Sequence, residues 1–327
     1  MSSTVIQNTT TKPLKNRELK IIDKIRRRAA SASSSRVRLG IGDDAAVLPP
    51  LGAQQELLVT TDLVVEGSHF ERHRHPARAL GHKVMARGLS DIAAMGGKPL
   101  YALLSLCLPG WAGQKWQKQF FAGLFRLAEA YDVRVVGGDL SAGQQFAADI
   151  IILGAARRGR ALERGKARVG DIIYVSGRLG GSALGLERLL SDRFGPGDAA
   201  VRRHLYPTPR LALGLYLSGK LKARAAMDLS DGLSIDLFRL AAESGVGAEV
   251  HRAEIPVFPG ATLEQGLHGG EDYELLFTLD PRRKAPASFE GIPLAPIGRI
   301  TASRRLMLVD GAGRKTPMPI KGFQHRL

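Results

Sequence analysis

Carboxylates recur along this 327-residue chain in short segments that also contain glycine, serine or threonine. Six segments share this composition: Gly40–Ala45, Thr60–Asp62, Leu89–Gly97, Val135–Asp139, Met227–Gly232 and Gly269–Glu274. Glycine lets the backbone approach a ligand closely, and carboxylate and hydroxyl oxygens are the hard ligands that Mg²⁺ prefers. A single segment of this kind is equally well explained as a turn or a helix cap. Six of them in one chain indicate a common cause.

Several Mg²⁺ ions bound to a polyphosphate are such a cause, because the ions neutralise the phosphates while the acids hold the ions. The chain has no Gly-x-x-x-x-Gly-Lys-Ser/Thr segment and no protein-kinase motif set, which excludes those two classes of phosphoryl-transfer enzyme. His69, His73 and His75 could suggest a transition-metal site. They share their stretch with Arg72 and Arg74, so a solvated turn is the better interpretation.

The elements that must position these segments alternate between strand and helix patterns, which predicts an α/β or α+β architecture. The predicted elements of the first half are strands Glu56–Val65, Pro99–Leu108, Val133–Val136 and Asp149–Ala155, and helices Pro76–Met95 and Gln114–Tyr131. Those of the second half are strands Asp171–Ser176, Ala225–Leu229, Tyr273–Leu279, Leu294–Ile300 and Leu306–Val309, with a helix opened by Gly177–Ser182. The basic, glycine-punctuated stretch 157–170 predicts a boundary between domains at 17–156 and 157–327.

Composition sets further bounds. Residues 1–16 lack apolar periodicity and a secretory apolar region, so a disordered tail is expected there. The longest apolar stretch, Leu100–Leu108, is about half the ~20 residues of a membrane helix, and Cys107 is the only cysteine. A cytoplasmic protein is therefore predicted. The 47 basic and 31 acidic residues leave a net charge of +16, which favours anionic partners, although a solvated basic surface is the simpler explanation. Nucleic-acid binding is disfavoured because aromatic content is only 6% and no reading motif is present.

Taken in order, the acidic segments resemble those of the thiamine-monophosphate kinase family, in the aminoimidazole-ribonucleotide-synthetase-like superfamily. The resemblance extends from Gly40 to Lys321-Gly322-Phe323 and so covers most of the chain. It implies a two-domain fold whose N-terminal domain forms a homodimer through a shared β-barrel. It also implies ATP-dependent phosphorylation of thiamine monophosphate to thiamine diphosphate, with several Mg²⁺ ions and ATP as co-substrate. Transfer would be direct and in line, because the acceptor phosphate oxygen is already a nucleophile and needs no strong base.

The resemblance also implies roles for individual residues. The implied Mg²⁺ ligands are Asp44, Thr60, Thr61, Asp62, Asp91, Asp139, Asp228 and Asp231. The implied ATP contacts are Gly138, Asp139, Arg164 and Ser230. His69, Glu271 and Phe323 would face the thiamine phosphate. Without the resemblance, Phe323 would be interpreted as a small apolar anchor for the C-terminal segment.

The main alternative is another ATP-using member of the superfamily, such as aminoimidazole ribonucleotide synthetase. A selenophosphate synthetase would carry a reactive Cys and Lys near its N-terminus, and the hydrogenase-maturation relatives use a C-terminal Cys, whereas this chain ends in His325-Arg326-Leu327. One departure from the family pattern concerns the segment before Asp91. Gly88 replaces the usual Asn, and Arg87 is bulkier than the usual apolar residue, so altered helix packing is expected there.

Overall fold

The computed structural model describes residues 38–39, 42–52 and 54–324. The tail predicted at 1–16, and Gly40, lie outside these residues. The described α-helices are α1 Ala77–Ala94, α2 Gln114–Ala130, α3 Gly181–Leu190, α4 Ala199–Leu205, α5 Leu211–Tyr216, α6 Leu233–Ser244 and α7 Leu263–His268. The described strands are β1 Ala46–Gly52, β2 Gln55–Val65, β3 Lys98–Leu108, β4 Arg134–Ala142, β5 Ala147–Arg157, β6 Ile172–Ser176, β7 Ala226–Asp228, β8 Gly247–His251, β9 Leu275–Leu279, β10 Ser288–Phe289, β11 Ile292–Thr301, β12 Leu306–Val309 and β13 Lys315–Pro317. No described helix combines the length and apolar character that crossing a membrane requires.

The first sheet contains five strands in the order β1-β2-β5-β3-β4, antiparallel except for the parallel pair β3-β4. Buried and partly exposed residues alternate along β2 and β5, as expected for a sheet with one covered face. The covered face packs against α1. Within the described ranges the sheet is open and forms no closed barrel.

Strand β4 corrects one prediction. The pattern of Val135-Val136 predicted a short buried strand that ends before Gly137, but β4 runs from Arg134 to Ala142 and its residues are mostly exposed. The strand continues through the glycines because it pairs with β3 as far as Ala142, opposite Leu108. Gly138 must be glycine here, since a Cβ atom at this position would lie 1.8 Å from the Leu104 carbonyl oxygen. The glycine-acid segment therefore lies within an edge strand rather than in a turn.

The second sheet is mixed and follows the order β13-β12-β8-β11-β6-β9-β7, with β10 paired to β11. The β8-β12 pair is parallel and the others are antiparallel. The strands predicted in the second half are all present with small shifts at their ends, and the helix predicted after Gly177–Ser182 begins at Gly181. The predicted domain boundary at residue 157 coincides with the end of β5 and stays a prediction.

Helix α1 joins the two halves. It contacts β2 and β5 of the first sheet, β7 of the second sheet, and α5. Its crossing with α2 is close because Gly123 leaves room for the backbone of α1, where a Cβ atom would lie 1.9 Å from the Arg78 carbonyl oxygen. One apolar core runs across this junction, from Leu89 and Ile92 of α1 to Leu213 and Phe277. The C-terminal end of α1 is thereby placed where the two sheets meet.

Candidate active site

Three carboxylates from distant parts of the sequence meet at this junction. Asp44 precedes β1, Asp91 lies on α1, and Asp228 ends β7. Each offers an oxygen atom within 4.8 Å of the other two. Burial raises the pKa of Asp91 and of Asp228 well above the usual value, and the charges of the neighbouring acids raise them further. Carboxylates this close either take up protons or bind a cation, and an all-oxygen donor set suits Mg²⁺, so the residues present fit this ion.

Each acid of this triad is oriented by a hydrogen bond. The Thr60 hydroxyl donates to Asp91 Oδ2 over 2.5 Å, and the Ser90 hydroxyl donates to Asp228 Oδ2 over 2.7 Å. Arg164 donates to both oxygens of Asp44, from Nε over 2.9 Å and from Nη2 over 2.7 Å. The predicted ATP residue Arg164 is thus placed against the triad, where its positive charge offsets part of the negative charge.

Strand alternation separates the residues predicted on β2. Thr60 and Asp62 lie on the face that meets α1, where Asp62 Oδ1 accepts from Arg87 Nε over 2.9 Å. The Thr61 hydroxyl donates to Asp149 Oδ1 over 2.6 Å, on the opposite face of the sheet. The side chain of Thr61 is therefore not brought to the triad, and its role as a ligand stays a prediction.

Gly138 and Asp139 are also apart from the triad. They lie on the exposed edge strand β4, where Asp139 is opposite Ser105 of β3. Neither belongs to the described residues that line the pocket at the triad. Their predicted contacts with ATP and Mg²⁺ stay predictions.

Ser230 and Asp231 occupy the turn between β7 and α6, and both line the pocket. Gly232 is the N-cap residue of α6, and the amides of Asp231 and Gly232 at this helix end donate to the Asp236 carboxylate, not to the side chain of Ser230 or Asp231. The alternative that Ser230 or Asp231 serves only as a helix cap is therefore wrong. Asp231 pairs instead with Arg239 of α6, whose guanidinium also donates to Asp236 over 3.0 Å.

The pocket beside the triad has a volume of about 350 Å³. Its lining residues are Asp62, Ser68, His69, Arg87, Asp91, Ser182, Ala183, Leu186, His204, Asp228, Ser230, Asp231, Gly270, Glu271, Tyr273 and Phe323. It therefore unites four predicted metal ligands with all three residues predicted to face the thiamine phosphate. The rings of His69 and Phe323 lie 6.0 Å apart at 47°, and the Val65 amide donates to His69 Nδ1 over 3.1 Å.

Glu271 is held as an anion in this pocket. Burial alone would raise its pKa, but the charges of Lys83, His204 and Arg87 outweigh burial and lower the pKa to about 2. Lys83 Nζ donates to Glu271 Oε2 over 2.7 Å, and this lysine is itself buried. The Glu271 carboxylate is thus ionised at neutral pH and paired with Lys83, in the same pocket as His69 and Phe323.

The sequence patterns missed four residues of the site, namely Lys83, Arg87, His204 and Tyr273. A signal existed for two of them. Positions 83, 87, 90 and 91 follow helical spacing, so the lysine and arginine share a face of α1 with Ser90 and Asp91. Gly88 packs closely against β5, since a Cβ atom there would lie 2.7 Å from Ile152 Cγ1, and packing altered relative to the family stays a prediction.

Comparison with known proteins identifies relatives of the whole chain. The family model described as AIR synthase related protein, N-terminal domain, matches residues 42–156, and the corresponding C-terminal domain model matches residues 168–311. The thiamine-monophosphate kinase of Escherichia coli (strain K12) is 37% identical over 306 residues, which is 88% of this chain and 92% of that protein. That of Aquifex aeolicus (strain VF5) is 36% identical over 298 residues, covering 87% and 92%.

Solved structures agree with these relatives. AaThiL complexed with AMPPCP and TMP superposes with a TM-score of 0.83 at 34% identity, covering 97% of this chain and 100% of that chain. The thiamine-monophosphate kinase from Stenotrophomonas maltophilia K279a gives a TM-score of 0.74 at 35% identity, covering 92% and 98%. The hydrogenase maturation protein HypE in complex with ATP shares the fold, with a TM-score of 0.68 at 19% identity.

Proposed function

The chain belongs to the thiamine-monophosphate kinase family, and we propose that it transfers the γ-phosphate of ATP to thiamine monophosphate, forming thiamine diphosphate and ADP. One observation supports this proposal above the others. A single pocket joins a buried carboxylate triad to an aromatic pair with a fixed negative charge. The relatives are named for this activity, and AaThiL was solved with AMPPCP and TMP. Aminoimidazole ribonucleotide synthesis, the alternative, is not favoured.

The chemistry follows from the charges in the pocket. An oxygen of the acceptor phosphate forms a bond to the γ-phosphorus while the bond from this phosphorus to the ADP oxygen breaks. The acceptor oxygen is already anionic, so no general base is required, and positioning supplies most of the rate. Asp44, Asp91 and Asp228 would hold Mg²⁺, with Asp62 and Asp231 beside them. When bound, Mg²⁺ would neutralise charge on the phosphates.

The acceptor end of the pocket suits the rings of thiamine. Thiamine carries a cationic thiazolium ring, and Glu271 presents a carboxylate that its partners keep charged. His69 and Phe323 present ring faces beside it. A cation beside a carboxylate and against an aromatic ring gains both Coulomb and cation–π energy.

Replacing Phe323 by alanine is expected to raise the Michaelis constant for thiamine monophosphate several-fold, because aromatic stacking contributes about 0.5–1.5 kcal/mol beyond burial. The Michaelis constant for ATP should change little, since Phe323 lies at the acceptor end. Steady-state kinetics with each substrate varied in turn measures both constants.

Phe194→Ala is the matched control, because Phe194 is similarly exposed but does not line this pocket. A thermal-shift comparison separates binding from anchoring. If Phe323→Ala binds thiamine monophosphate normally yet melts early, Phe323 is an anchor and its proposed role is wrong.

A homodimer through the first sheet is also proposed. Four large apolar side chains, Leu63, Tyr101, Val136 and Leu140, are 48–67% exposed on β2, β3 and β4. An edge strand and apolar residues left open to water favour association with a second copy. The shared β-barrel that the family resemblance implies would cover these four side chains.

The cytoplasmic location predicted from the sequence stays a prediction.

Light scattering at micromolar concentration is expected to give about twice the 35.2 kDa chain mass. Val136→Lys together with Leu140→Lys should shift the protein toward monomer, because charges would enter the apolar contact. A fully active monomer of the wild-type protein would rule out a required dimer.

The function is tested by coupled detection of ADP with thiamine monophosphate, with thiamine, and with no acceptor. Of these three conditions, only thiamine monophosphate is expected to give release of ADP. Chromatography should then show thiamine diphosphate as the second product. No release with this acceptor, but release with formylglycinamidine ribonucleotide, would replace the proposal by the aminoimidazole reaction.

A further inference from the structure

Tyr273 has two features that destabilise the folded state and that packing does not explain. Its side chain is 1% exposed and lines the active-site pocket, and its buried hydroxyl has no hydrogen-bond partner among the described residues. Its backbone is left-handed, with φ of 49°, and that of Glu271 two residues earlier has φ of 65°. An unpaired buried hydroxyl costs about 1–3 kcal/mol, and strained backbone clusters at ligand sites. Both features indicate a partner that binds in the pocket.

Arg87 is suited to bind a phosphate in this pocket, because its guanidinium carries a positive charge and several N–H donors. Among the described residues it is the only Lys or Arg that lines the pocket. Its Nε donates to Asp62 Oδ1 over 2.9 Å, and its Nη1 lies 3.7 Å from Glu271 Oε1. Arg87 therefore lies between Asp62, on the side of the carboxylate triad, and Glu271, on the side proposed for thiamine monophosphate.

The phenol of Tyr273 lies within electrostatic range of the same groups. Burial raises its pKa well above the usual value, the charge of Arg87 opposes this rise, and Glu271, Asp62 and Asp228 add to it. The ring of Tyr273 therefore lines the same pocket as these acids. At neutral pH the hydroxyl is protonated and available as a donor.

Each cation near the pocket is paired with an acid, Arg87 included, since its Nη2 lies 2.5 Å from Asp62 Oδ1, but among the described lysines and arginines Arg87 alone lines the pocket. Arg164 is paired with Asp44, Arg239 with Asp231, and Lys83 with Glu271. Two phosphorylated substrates would add several negative charges to a pocket lined by five acids. Arg87 and Tyr273 are the donors placed between the two ends.

We propose that the Arg87 guanidinium and the Tyr273 hydroxyl bind the phosphoryl group during transfer, each donating a hydrogen bond to its oxygens; the contribution of Arg87 is a feature of this chain, because the family pattern has an apolar residue there. This inference rests on the proposed kinase function. Neither residue gives up a proton: the acceptor oxygen forms the new bond to phosphorus as the bond to the ADP oxygen breaks. Donors that meet charge developing in the transition state raise kcat more than they raise affinity.

Tyr273→Phe tests the hydroxyl alone, because the ring and its packing remain. We expect kcat to fall about 10- to 100-fold, with the Michaelis constant for thiamine monophosphate within about threefold of wild type. Thermal stability should not fall, since the hydroxyl has no partner to lose. Tyr174→Phe is the matched control, a buried tyrosine outside the pocket that should leave kcat unchanged. A kcat for Tyr273→Phe within about twofold of wild type would overturn the inference for Tyr273.

Arg87 is tested with two variants over a range of Mg²⁺ concentrations. We expect Arg87→Gln to lower kcat about 100-fold at saturating Mg²⁺, and Arg87→Lys to retain part of the rate because it keeps the charge but loses the forked donor. If excess Mg²⁺ restores the rate of Arg87→Gln, the arginine only supports Asp62 and its proposed role is overturned.

The wild-type reaction separates this inference from the function it rests on. If the wild-type protein forms thiamine diphosphate and Tyr273→Phe and Arg87→Gln are equally fast, the inference is overturned and the proposed function is retained. Wild-type protein that releases no ADP with thiamine monophosphate overturns both.

Discussion

Replacing Asp91 or Asp228 by asparagine is expected to lower kcat on the order of 1000-fold, because each variant removes a charged ligand where charge must be neutralised in the transition state. The two acids lie with Asp44 in a triad whose oxygens approach within 4.8 Å. Asparagine keeps the size of the side chain and an oxygen that accepts from Thr60 or Ser90. Steady-state kinetics at saturating Mg²⁺ measures the loss.

Stability distinguishes a metal site from a structural role. The triad is a cluster of like charges, so removing one charge should leave the melting temperature in EDTA unchanged or higher. The rise in melting temperature that Mg²⁺ causes in the wild type should be reduced in both variants. Asp310→Asn is the control, since Asp310 caps a turn by accepting from the Ala312 and Arg314 amides. Activity near the wild-type level in both triad variants would exclude the metal assignment.

Replacing Glu274 by glutamine is expected to destabilise the protein by about 3–5 kcal/mol, the usual cost of leaving buried charges unpaired. Glu274 is fully buried and accepts from Arg210 Nε over 2.8 Å, from Arg203, and from the Ser176 hydroxyl. Glutamine has nearly the same shape but cannot neutralise two guanidinium groups. Urea unfolding of wild type and variant measures the difference.

The pH dependence of this difference follows from the direction of the pKa shift. Burial would raise the pKa of Glu274, but its arginine partners lower it below the usual 4.5. A lowered pKa stabilises the folded state above the unfolded pKa, and this stabilisation is lost as the pH falls through the folded value. The difference in unfolding free energy between wild type and Glu274→Gln should therefore become smaller as the pH is lowered.

Glu249→Gln provides the comparison for Glu274→Gln, because Glu249 also has two basic partners, Arg299 and Lys315, but these are exposed. Its loss should cost less than about 1 kcal/mol. If Glu249→Gln and Glu274→Gln lower the unfolding free energy equally, burial of Glu274 is not the reason for its effect on stability.

The position of Glu274 has a consequence for the active site. It follows Tyr273 directly in the sequence, and Glu271 lies three residues before it. Its ion pairs anchor the start of β9 against Arg203, which neighbours α4 residue His204 of the pocket, and against Arg210. The backbone of Glu271 and Tyr273 is also held by amide hydrogen bonds to Ser230 and Leu229, and we expect loss of the adjacent Glu274 ion pairs to lower activity at temperatures where the variant remains folded.

Much of the fold could be predicted from the sequence because the patterns are local. Alternation identified β2, β3 and β5, and helical spacing identified α1 and α2 to within a residue at each end. Thr60 and Thr61 were both predicted as Mg²⁺ ligands, but the structure directs their hydroxyls to opposite faces of the sheet, as strand alternation requires. Edge strand β4 was misjudged because its exposure depends on which strands lie beside it, and a local pattern carries no information on strand order.

The sequence likewise predicts the chemical type of the site, since acids with glycine or serine at strand ends indicate an oxygen-ligand metal site. Which acids meet was decided by the tertiary structure. The Ser90–Asp228 and Thr60–Asp91 hydrogen bonds join residues 138 and 31 positions apart. Glu274 belongs to one of the acidic segments, yet its arginines direct it into the core, away from the pocket. Arg87 and Tyr273 gain their place in the pocket only when α1 packs across both sheets, because the energy of a charge or a hydroxyl depends on the groups that folding brings around it.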